Sequence, residues 1–382
     1  MNERVRERER IRDEVRAGKR PMGPPVPVPP KPMPRLMPDP NKDHQPESYE
    51  DLQLGYHSSL FSALERHLRP EMLTATRDVK ANFMRDILKD YWSPQRLERD
   101  RWYKTYRERI IRNYQPLHEE LYTLNPKAFF VPEFLEAINV NTEQSFRSIM
   151  SRPAPGIFTF KMLQPHFCEL LLSEVENFKK WVHEAKFRIK RPNIMNKYGA
   201  ILDDFGLETM LHRLMEDFIS PLSKVFFSGI GGSNLDSHHG FIVEYGINRD
   251  VDIDLHVDDS EVTLNVCLSK EFLGGELFFR GMRCDKHLTT ATYSDEIYDY
   301  PHVTGQAVLH HGRIRHGAKA TTSGRRVNLL LWCRSSRFRV EKMLRKDCSS
   351  WCGVCNQEKE DSKRSLERQL EALLRKGGET TP

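Results

Sequence analysis

Residues 241–268 read FIVEYGINRDVDIDLHVDDSEVTLNVCL, and GGELFF at 274–279 and VTGQAVLHHGRIRHGAKATTSGRRVNLLLW at 303–332 carry the same texture onward. Phe241, Val243 and Tyr245 alternate with other residues at the period of a half-buried strand. Val262, Leu264, Val266 and Leu268 repeat that period, with Thr263, Asn265 and Cys267 on the opposite face. Gly274-Gly275 turns the chain into Glu276–Phe279, and the run Ala307–Leu309 leads to Gly312. The last strand is expected from Arg326 to Trp332, with Arg326, Asn328, Leu330 and Trp332 sharing a side. Short strands parted by glycine turns compose a closed or double-sheet β fold, not alternating strands and long helices.

His256 and Asp258 stand two apart, so an extended backbone sends both side chains the same way. His316 follows 58 positions after Asp258 (316 − 258), and Arg326 ten positions after that. Two imidazoles and one carboxylate can occupy one face of an octahedral Fe(II) and leave three positions open. A structural zinc would instead take four protein ligands. Taken alone, a His-x-Asp pair also fits a surface turn, and Arg326 also fits a solvated strand edge beside Arg325. An Arg suits a carboxylate because its planar fork makes two parallel charge-assisted hydrogen bonds. His238, His239, His310 and His311 read as structural or rim residues.

His256-Val-Asp258, Thr263-Leu-Asn265, Gly274-Gly275, His316-Gly317 and Arg326 together resemble the prolyl- and lysyl-hydroxylase branch of the iron(II)- and 2-oxoglutarate-dependent dioxygenases. Within that branch the stretch is most similar to the group of 2-oxoglutarate and iron-dependent oxygenase domain-containing protein 2. The likeness is strong over 210–340 and looser over 155–210. It implies an α+β fold: a double-stranded β-helix (jelly-roll) oxygenase core with flanking and N-terminal helices. It also implies that His256, Asp258 and His316 bind Fe(2+) and that Arg326 holds the far carboxylate of 2-oxoglutarate. Tyr245 stands where such proteins place a tyrosine that helps hold the acid, and Thr263 and Asn265 are carried over to the same cosubstrate set. O2 is the second cosubstrate, and ascorbate is implied as a reductant.

The reaction implied is oxidative decarboxylation of 2-oxoglutarate to succinate and CO2, coupled to oxidation of a C–H bond. By analogy with the branch, the substrate is an amino-acid side chain of a protein, although fold does not fix substrate. Two other functions stay open: a catalytically weak oxygenase-fold scaffold, and a nucleic-acid-modifying oxygenase.

The chain has 382 residues, 38% hydrophobic and 30% charged, enough for a sizeable core. Its 59 basic and 54 acidic residues leave a formal charge of +5, a weak excess that argues little for nucleic acid or an anionic membrane. No transmembrane run is present, and the opening MNERVRERERIRDEV lacks the apolar stretch of a secretory signal. Seven Cys, four of them before position 340, do not read as a disulfide framework. An intracellular setting, cytoplasm or nucleus, is expected.

Residues 1–48 read as a charged and Pro-rich arm, in which 21–40 favours polyproline II and serves as a spacer or as the docking segment for a Pro-binding module. A helical accessory region is expected over 49–150. Its stretch YWSPQRLERDRWYKTYRERIIRNY interleaves aromatic with basic residues, and either packs on the domain it covers or stacks nucleic-acid bases. Supporting helices and first strands follow over 155–232, with an edge strand at Phe158–Phe160, an amphipathic helix over Leu163–His183 and a helix over 207–227 kinked at Pro221. In the loop 192–199, Asn196 and Tyr198 are candidates to line an entrance. Gly229–Gly232 reads as a plain turn.

The core is expected over 233–340, interrupted by a polar insert at 281–304 read as a solvated loop. Asp295, Glu296 and Asp299 within it would suit a basic partner. A charged, Cys-containing tail spans 341–382, after a basic run at 334–345. There Cys348-x3-Cys352-x2-Cys355 reads as ordinary reduced cysteines, or as part of a zinc site whose fourth ligand, a His or Cys333, comes from afar.

Overall fold

The computed structural model describes residues 36–37, 40–52, 58–91, 94–344 and 351–377. Two compact units are distinguished, Met1–Met37 and Pro38–Pro382; nearly all of the first, including most of the Pro-rich segment, lies outside the described residues. The second unit holds every strand and helix among the described residues.

Twelve strands occur among the described residues: β1 Ser151–Ala154, β2 Ile157–Lys161, β3 Gly199–Ile201, β4 Ser237–Gly246, β5 Ile253–His256, β6 Val262–Cys267, β7 Phe272–Gly274, β8 Leu277–Met282, β9 Ile297–Tyr300, β10 Gln306–His311, β11 Ile314–Ala318 and β12 Thr321–Arg334. They form a large sheet in the order β1-β2-β10-β6-β12-β4-β3, with β7 on β12, and a small sheet in the order β5-β11-β8-β9. All the pairs are antiparallel. From β4 onward the chain alternates between sheets: β4 large, β5 small, β6 large, β8 and β9 small, β10 large, β11 small, β12 large. That winding makes a jelly roll, here accompanied by helices in an α+β arrangement.

Alternation decides what each face meets. Val262, Leu264 and Val266 of β6 and Leu329 and Leu331 of β12 join the main core, shared with helices on the outer face of the large sheet. The opposite sides of β4 and β12 place Phe241, Val243, Tyr245, Leu330 and Trp332 in a separate inner cluster. Both faces of β6 are therefore buried. The helix Pro165–Glu184 contributes Phe167, Leu171, Val175 and Phe178 to the main core. Each such fully buried side chain stabilises by about 1.5–3 kcal/mol.

Glu174, on the same helix, is buried and fully satisfied. It accepts from Tyr114 Oη (2.5 Å), Tyr122 Oη (2.9 Å) and the backbone N–H groups of Leu117 (2.9 Å) and His118 (2.7 Å). These bonds fasten the helical front segment to the sheet's covering helix.

Several expectations change in the folded chain. Phe158–Phe160 is not at an edge: β2 lies between β1 and β10, because the chain reverses at Gly156 (φ +73°) and lays β1 outside it. The helix over 207–227 is divided into Glu208–Arg213, a π-helical turn Leu214–Ile219 and Ser220–Phe226, consistent with Pro221, which has no N–H for a continuous ladder.

The insert 281–304 is no solvated loop. It contains β9 and the fully buried Arg283, whose guanidinium donates to the Glu296 carboxylate (2.5 and 2.7 Å), Thr290 Oγ1 (2.9 Å) and the Ala291 carbonyl (2.8 Å). Two of its three acidic residues are engaged internally, Glu296 with Arg283 and Asp299 with Arg280 and Lys319, while Asp295 stays exposed. Arg334 and Arg339 of the basic run likewise pair with Asp259 and Glu261. On the helix Pro94–Asn113, Tyr106 is buried and packs on Phe187, so that ring faces the domain rather than solvent. No described helix is long and apolar enough to cross a membrane.

Cys333 lies in β12 within the main core, with its Sγ toward the Leu331 carbonyl (3.9 Å), and takes no part in a ligand cluster among the described residues. Cys348 lies outside the described residues.

Candidate active site

β5 ends on His256, and β11 brings His316 directly opposite it in the antiparallel register. Their ring centroids are 4.4 Å apart. Each imidazole is oriented by the carbonyl two residues before it: His256 Nδ1 donates to Asp254 O (2.7 Å) and His316 Nδ1 to Ile314 O (2.9 Å). A carbonyl only accepts, so both protons sit on Nδ1 and both Nε2 lone pairs are left free. Those Nε2 atoms face Asp258, at 3.7 Å from Oδ1 for His256 and 3.6 Å from Oδ2 for His316. The ligand atoms of the three residues lie within 4.8 Å of one another. Two neutral imidazoles and one carboxylate can hold a divalent cation and leave coordination positions open.

Asp258 is fixed from behind. Its backbone N–H donates to the Gly312 carbonyl (2.8 Å), and Thr263 Oγ1 donates to its Oδ2 (2.7 Å). Thr263, grouped with the cosubstrate residues by resemblance, is fully buried and supports the carboxylate instead of lining the cavity. Its placement follows from β6, where it is two residues before Asn265 and one pleat deeper.

Burial opposes charge on Asp258, but the imidazoles of His316, His256 and His310 and the Thr263 hydrogen bond outweigh it and hold the carboxyl below its usual range. Burial, reinforced by His316, pushes His256 down to about 4, so its lone pair is available at neutral pH. His310 and His311 are buried in β10, structural rather than at a rim; His310 Nε2 is 4.0 Å from Asp258 Oδ2.

A narrow cavity opens beside the triad, lined in part by Asn196, Tyr245, Asn265, Arg326, Leu330 and Trp332. Arg326 is 1% exposed. Its Nη1 donates to His302 Nε2 (2.9 Å) and Asn328 Oδ1 (3.2 Å), and its guanidinium lies 3.9 Å from the centre of the Tyr245 ring. Its Nε and Nη2 have no partner. Burial presses its pKa down from the usual guanidinium range, and no carboxylate hydrogen-bonds to it among the described residues. A desolvated cation with two free donors favours an anion placed in the cavity.

The neighbours are ordered around it. Asn328 Nδ2 donates to Asn265 Oδ1 (2.7 Å), and Asn196 Nδ2 donates to Tyr245 Oη (2.9 Å). The strands thus bring together His256, Asp258, His316, Arg326, Tyr245 and Asn265. Of the two loop candidates Asn196 lines the cavity, whereas Tyr198 is 44% exposed and does not. His302 is invisible to strand periodicity, because it sits in the irregular insert 24 residues before Arg326. Asn328 and Trp332 share the Arg326 parity, a signal that suffices to place them but not to give them roles. A second space, of about 10 Å³, lies in the main core and is lined wholly by apolar side chains.

A family model described as the OGFOD2-like domain matches residues 110–232. The 2-oxoglutarate and iron-dependent oxygenase domain-containing protein CP2 of Arabidopsis thaliana is 61% identical over 342 residues, covering 90% of this chain and 86% of that protein. The 2-oxoglutarate and iron-dependent oxygenase domain-containing protein 2 of Xenopus tropicalis is 36% identical over 259 residues, covering 66% of this chain and 69% of that protein. Among solved structures, a Pseudomonas putida prolyl-4-hydroxylase aligns at 14% identity with a TM-score of 0.34, over 47% of this chain and 92% of that one.

Proposed function

The chain belongs to the family of 2-oxoglutarate and iron-dependent oxygenase domain-containing proteins and is a dioxygenase, and from that premise we propose that it hydroxylates an amino-acid side chain of a protein. In this reading His256, Asp258 and His316 hold Fe(II), and Arg326 holds the far carboxylate of 2-oxoglutarate. The observation that carries it is the pair of unpartnered donors on buried Arg326, in the same cavity as the triad. An oxygen-rich dianion fits a cation without a counter-ion, and the His₂–carboxylate donor set fits a divalent iron.

Bound Fe(II) supplies the redox chemistry that couples decarboxylation of 2-oxoglutarate to C–H oxidation. The chain's own residues bind and orient. The backbone carbonyls of Asp254 and Ile314 keep each ligand proton on Nδ1, and Thr263 keeps Asp258 turned toward the two Nε2 atoms. Tyr245 stacks under the guanidinium while His302 and Asn328 hold its Nη1, which aims the remaining donors. Leu330, Trp332 and Ile253 line the same space with apolar surface and limit water there.

A polypeptide substrate is supported by the surface beside the cavity. Ile194 and Leu255 are exposed, at 96% and 45%. Ile194 and Leu255 adjoin cavity-lining residues in the chain. Exposed aliphatic side chains near a cavity mouth suit a protein segment better than a phosphate backbone.

The test is anaerobic titration with Fe(II) and 2-oxoglutarate, followed by the visible charge-transfer band of the chelate. The band is expected in the wild type and absent in His256→Ala. Turnover with ascorbate, read as succinate formed, then screens candidate peptides. A wild type without a band would return the scaffold reading to the front.

A further inference from the structure

A second set of metal-ligating side chains converges far from the triad in sequence. Cys284 and His287 leave the end of β8, His287 closing the short 3₁₀ turn Asp285–His287. Cys352 and Cys355 come from the other end of the chain, at the start of the helix Gly353–Gly377. Their four ligand atoms lie within 4.8 Å of one another. His287 Nδ1 is 3.4 Å from Cys284 Sγ, 3.5 Å from Cys352 Sγ and 3.4 Å from Cys355 Sγ, and Cys284 Sγ is 3.6 Å from Cys355 Sγ.

We propose that Cys284, His287, Cys352 and Cys355 form a structural zinc site that ties the C-terminal helix to the insert following β8. A tetrahedral zinc with Zn–S of ~2.3 Å and Zn–N of ~2.05 Å sets S···S at ~3.8 Å and S···N at ~3.6 Å. The observed separations match that edge geometry within a few tenths of an ångström. They do not match a disulfide, whose sulfurs stand ~2.05 Å apart. Three thiolates and an imidazole form a closed four-coordinate set with sulfur softness, which selects zinc over the oxygen-seeking divalent ions. The remaining imidazole nitrogen, His287 Nε2, lies 3.5 Å from Glu358 Oε1, one turn along the same helix. A carboxylate there fixes the ring so that Nδ1 is the ligand.

The helix itself argues for a clamp. Residues 356–369 are exposed without exception, so over that span the helix buries almost nothing. Its beginning is anchored: Trp351 and Cys352 pack with Cys284, Ile230 and Met282. Helix propensity alone does not dock such a segment, whereas a coordinated metal does. The clamp also adjoins the oxygenase centre. Met282 pairs with Ile314, two residues before His316, and Trp351 lies 5.9 Å from the His311 ring at the end of β10. Binding exchanges the thiol protons for the cation and involves no change of oxidation state.

The test uses the full chain, purified with zinc present, by elemental analysis and X-ray absorption at the zinc edge. About one zinc per chain is expected, with a sulfur-dominated shell near ~2.3 Å. It should persist in His256→Ala, which disables only the triad, and be lost in the double variant Cys352→Ser, Cys355→Ser. Stripping the zinc should expose 351–377 to protease. Wild type without zinc, or zinc with only nitrogen and oxygen neighbours that vanishes in His256→Ala, overturns the proposal. Should the double variant fail to fold, His287→Cys decides: a fourth sulfur in the shell supports the site, and an unchanged shell refutes it. Because His256→Ala separates the two centres, failure of the zinc site and failure of the oxygenase reading give different results.

Discussion

Arg326 is a buried cation whose hydrogen-bond partners among the described residues are neutral, and that makes its removal informative in two directions. An uncompensated buried charge costs stability, and replacing it by an apolar side chain of similar size is often neutral or stabilising. Arg326→Met is therefore expected to melt at the same temperature as the wild type or higher. Its affinity for 2-oxoglutarate should nonetheless fall by about 100-fold, the worth of one or two charge-assisted bonds. Thermal melting and anaerobic titration read the two effects separately. Loss of stability with no change in affinity would mean that the guanidinium serves the fold alone.

Thr263 invites the opposite separation. Its hydroxyl donates to Asp258 Oδ2 from outside the cavity, so Thr263→Val should weaken Fe(II) binding by about 10- to 100-fold, as loss of a ligand's supporting bond does. The half-saturating 2-oxoglutarate concentration, measured at saturating iron, should stay where it was. A shift in that concentration instead would restore Thr263 to the cosubstrate set.

At the scale of elements, period-two alternation makes β4, β6 and β12 legible, because each has one face on the main core and one toward the cavity. His256 and Asp258 are legible by their spacing of two and Arg326 by its parity with Trp332, whereas His316 and the roles of all four rest on the family resemblance. What alternation does not reveal is set by irregular backbone: His302 comes from the insert, and Asn196 from the loop before β3. Cys284 and His287 go unread beside Cys352 and Cys355 because only tertiary folding joins the two pairs. The buried Arg283 hides for a related reason, since a polar sequence looks solvated until its Glu296 partner is in place.

The turn between β7 and β8 shows how an element tunes the site. Gly275 has φ +75°, and a Cβ there would stand 2.8 Å from Arg326 Nε and 2.8 Å from Thr321 Oγ1. Gly275→Ala meets a backbone penalty of roughly 1–2 kcal/mol and displaces the guanidinium. The expected result is weaker 2-oxoglutarate binding, by about 10-fold for each 1.4 kcal/mol of misplacement, with Fe(II) affinity unchanged. Equal losses for both ligands would show that the turn supports the whole sheet and not Arg326 in particular.

For the molecule as a whole, the concentration of buried histidines sets the response to acid. Burial is the leading cause that lowers His238, His239, His256 and His310 to about 4, His311 to about 3, and His302 well below its ordinary 6.5. A group whose folded pKa is depressed contributes stability that is present above its unfolded pKa and lost as pH falls toward the folded one. Between pH 6.5 and 4 the unfolded chain therefore takes up protons that the folded chain refuses. Each histidine contributes a slope of up to about 1.4 kcal/mol per pH unit in that window.

Asp203 works the other way. Burial raises it to about 7, so its folded form keeps a proton that the unfolded form releases above 3.8, and its contribution falls as pH rises. Burial raises Asp204 and Glu261 in the same direction, and three such carboxyls against six imidazoles leave the histidines dominant. Urea unfolding at pH 7.5 and 5.5 is expected to give a clearly lower midpoint at the acidic value, with an unchanged slope. Equal midpoints would mean that the unfolded chain gains no protons over the folded one in this range. The imidazoles would then have to be open to solvent, and His256 could not be the neutral ligand that its Nδ1 hydrogen bond describes.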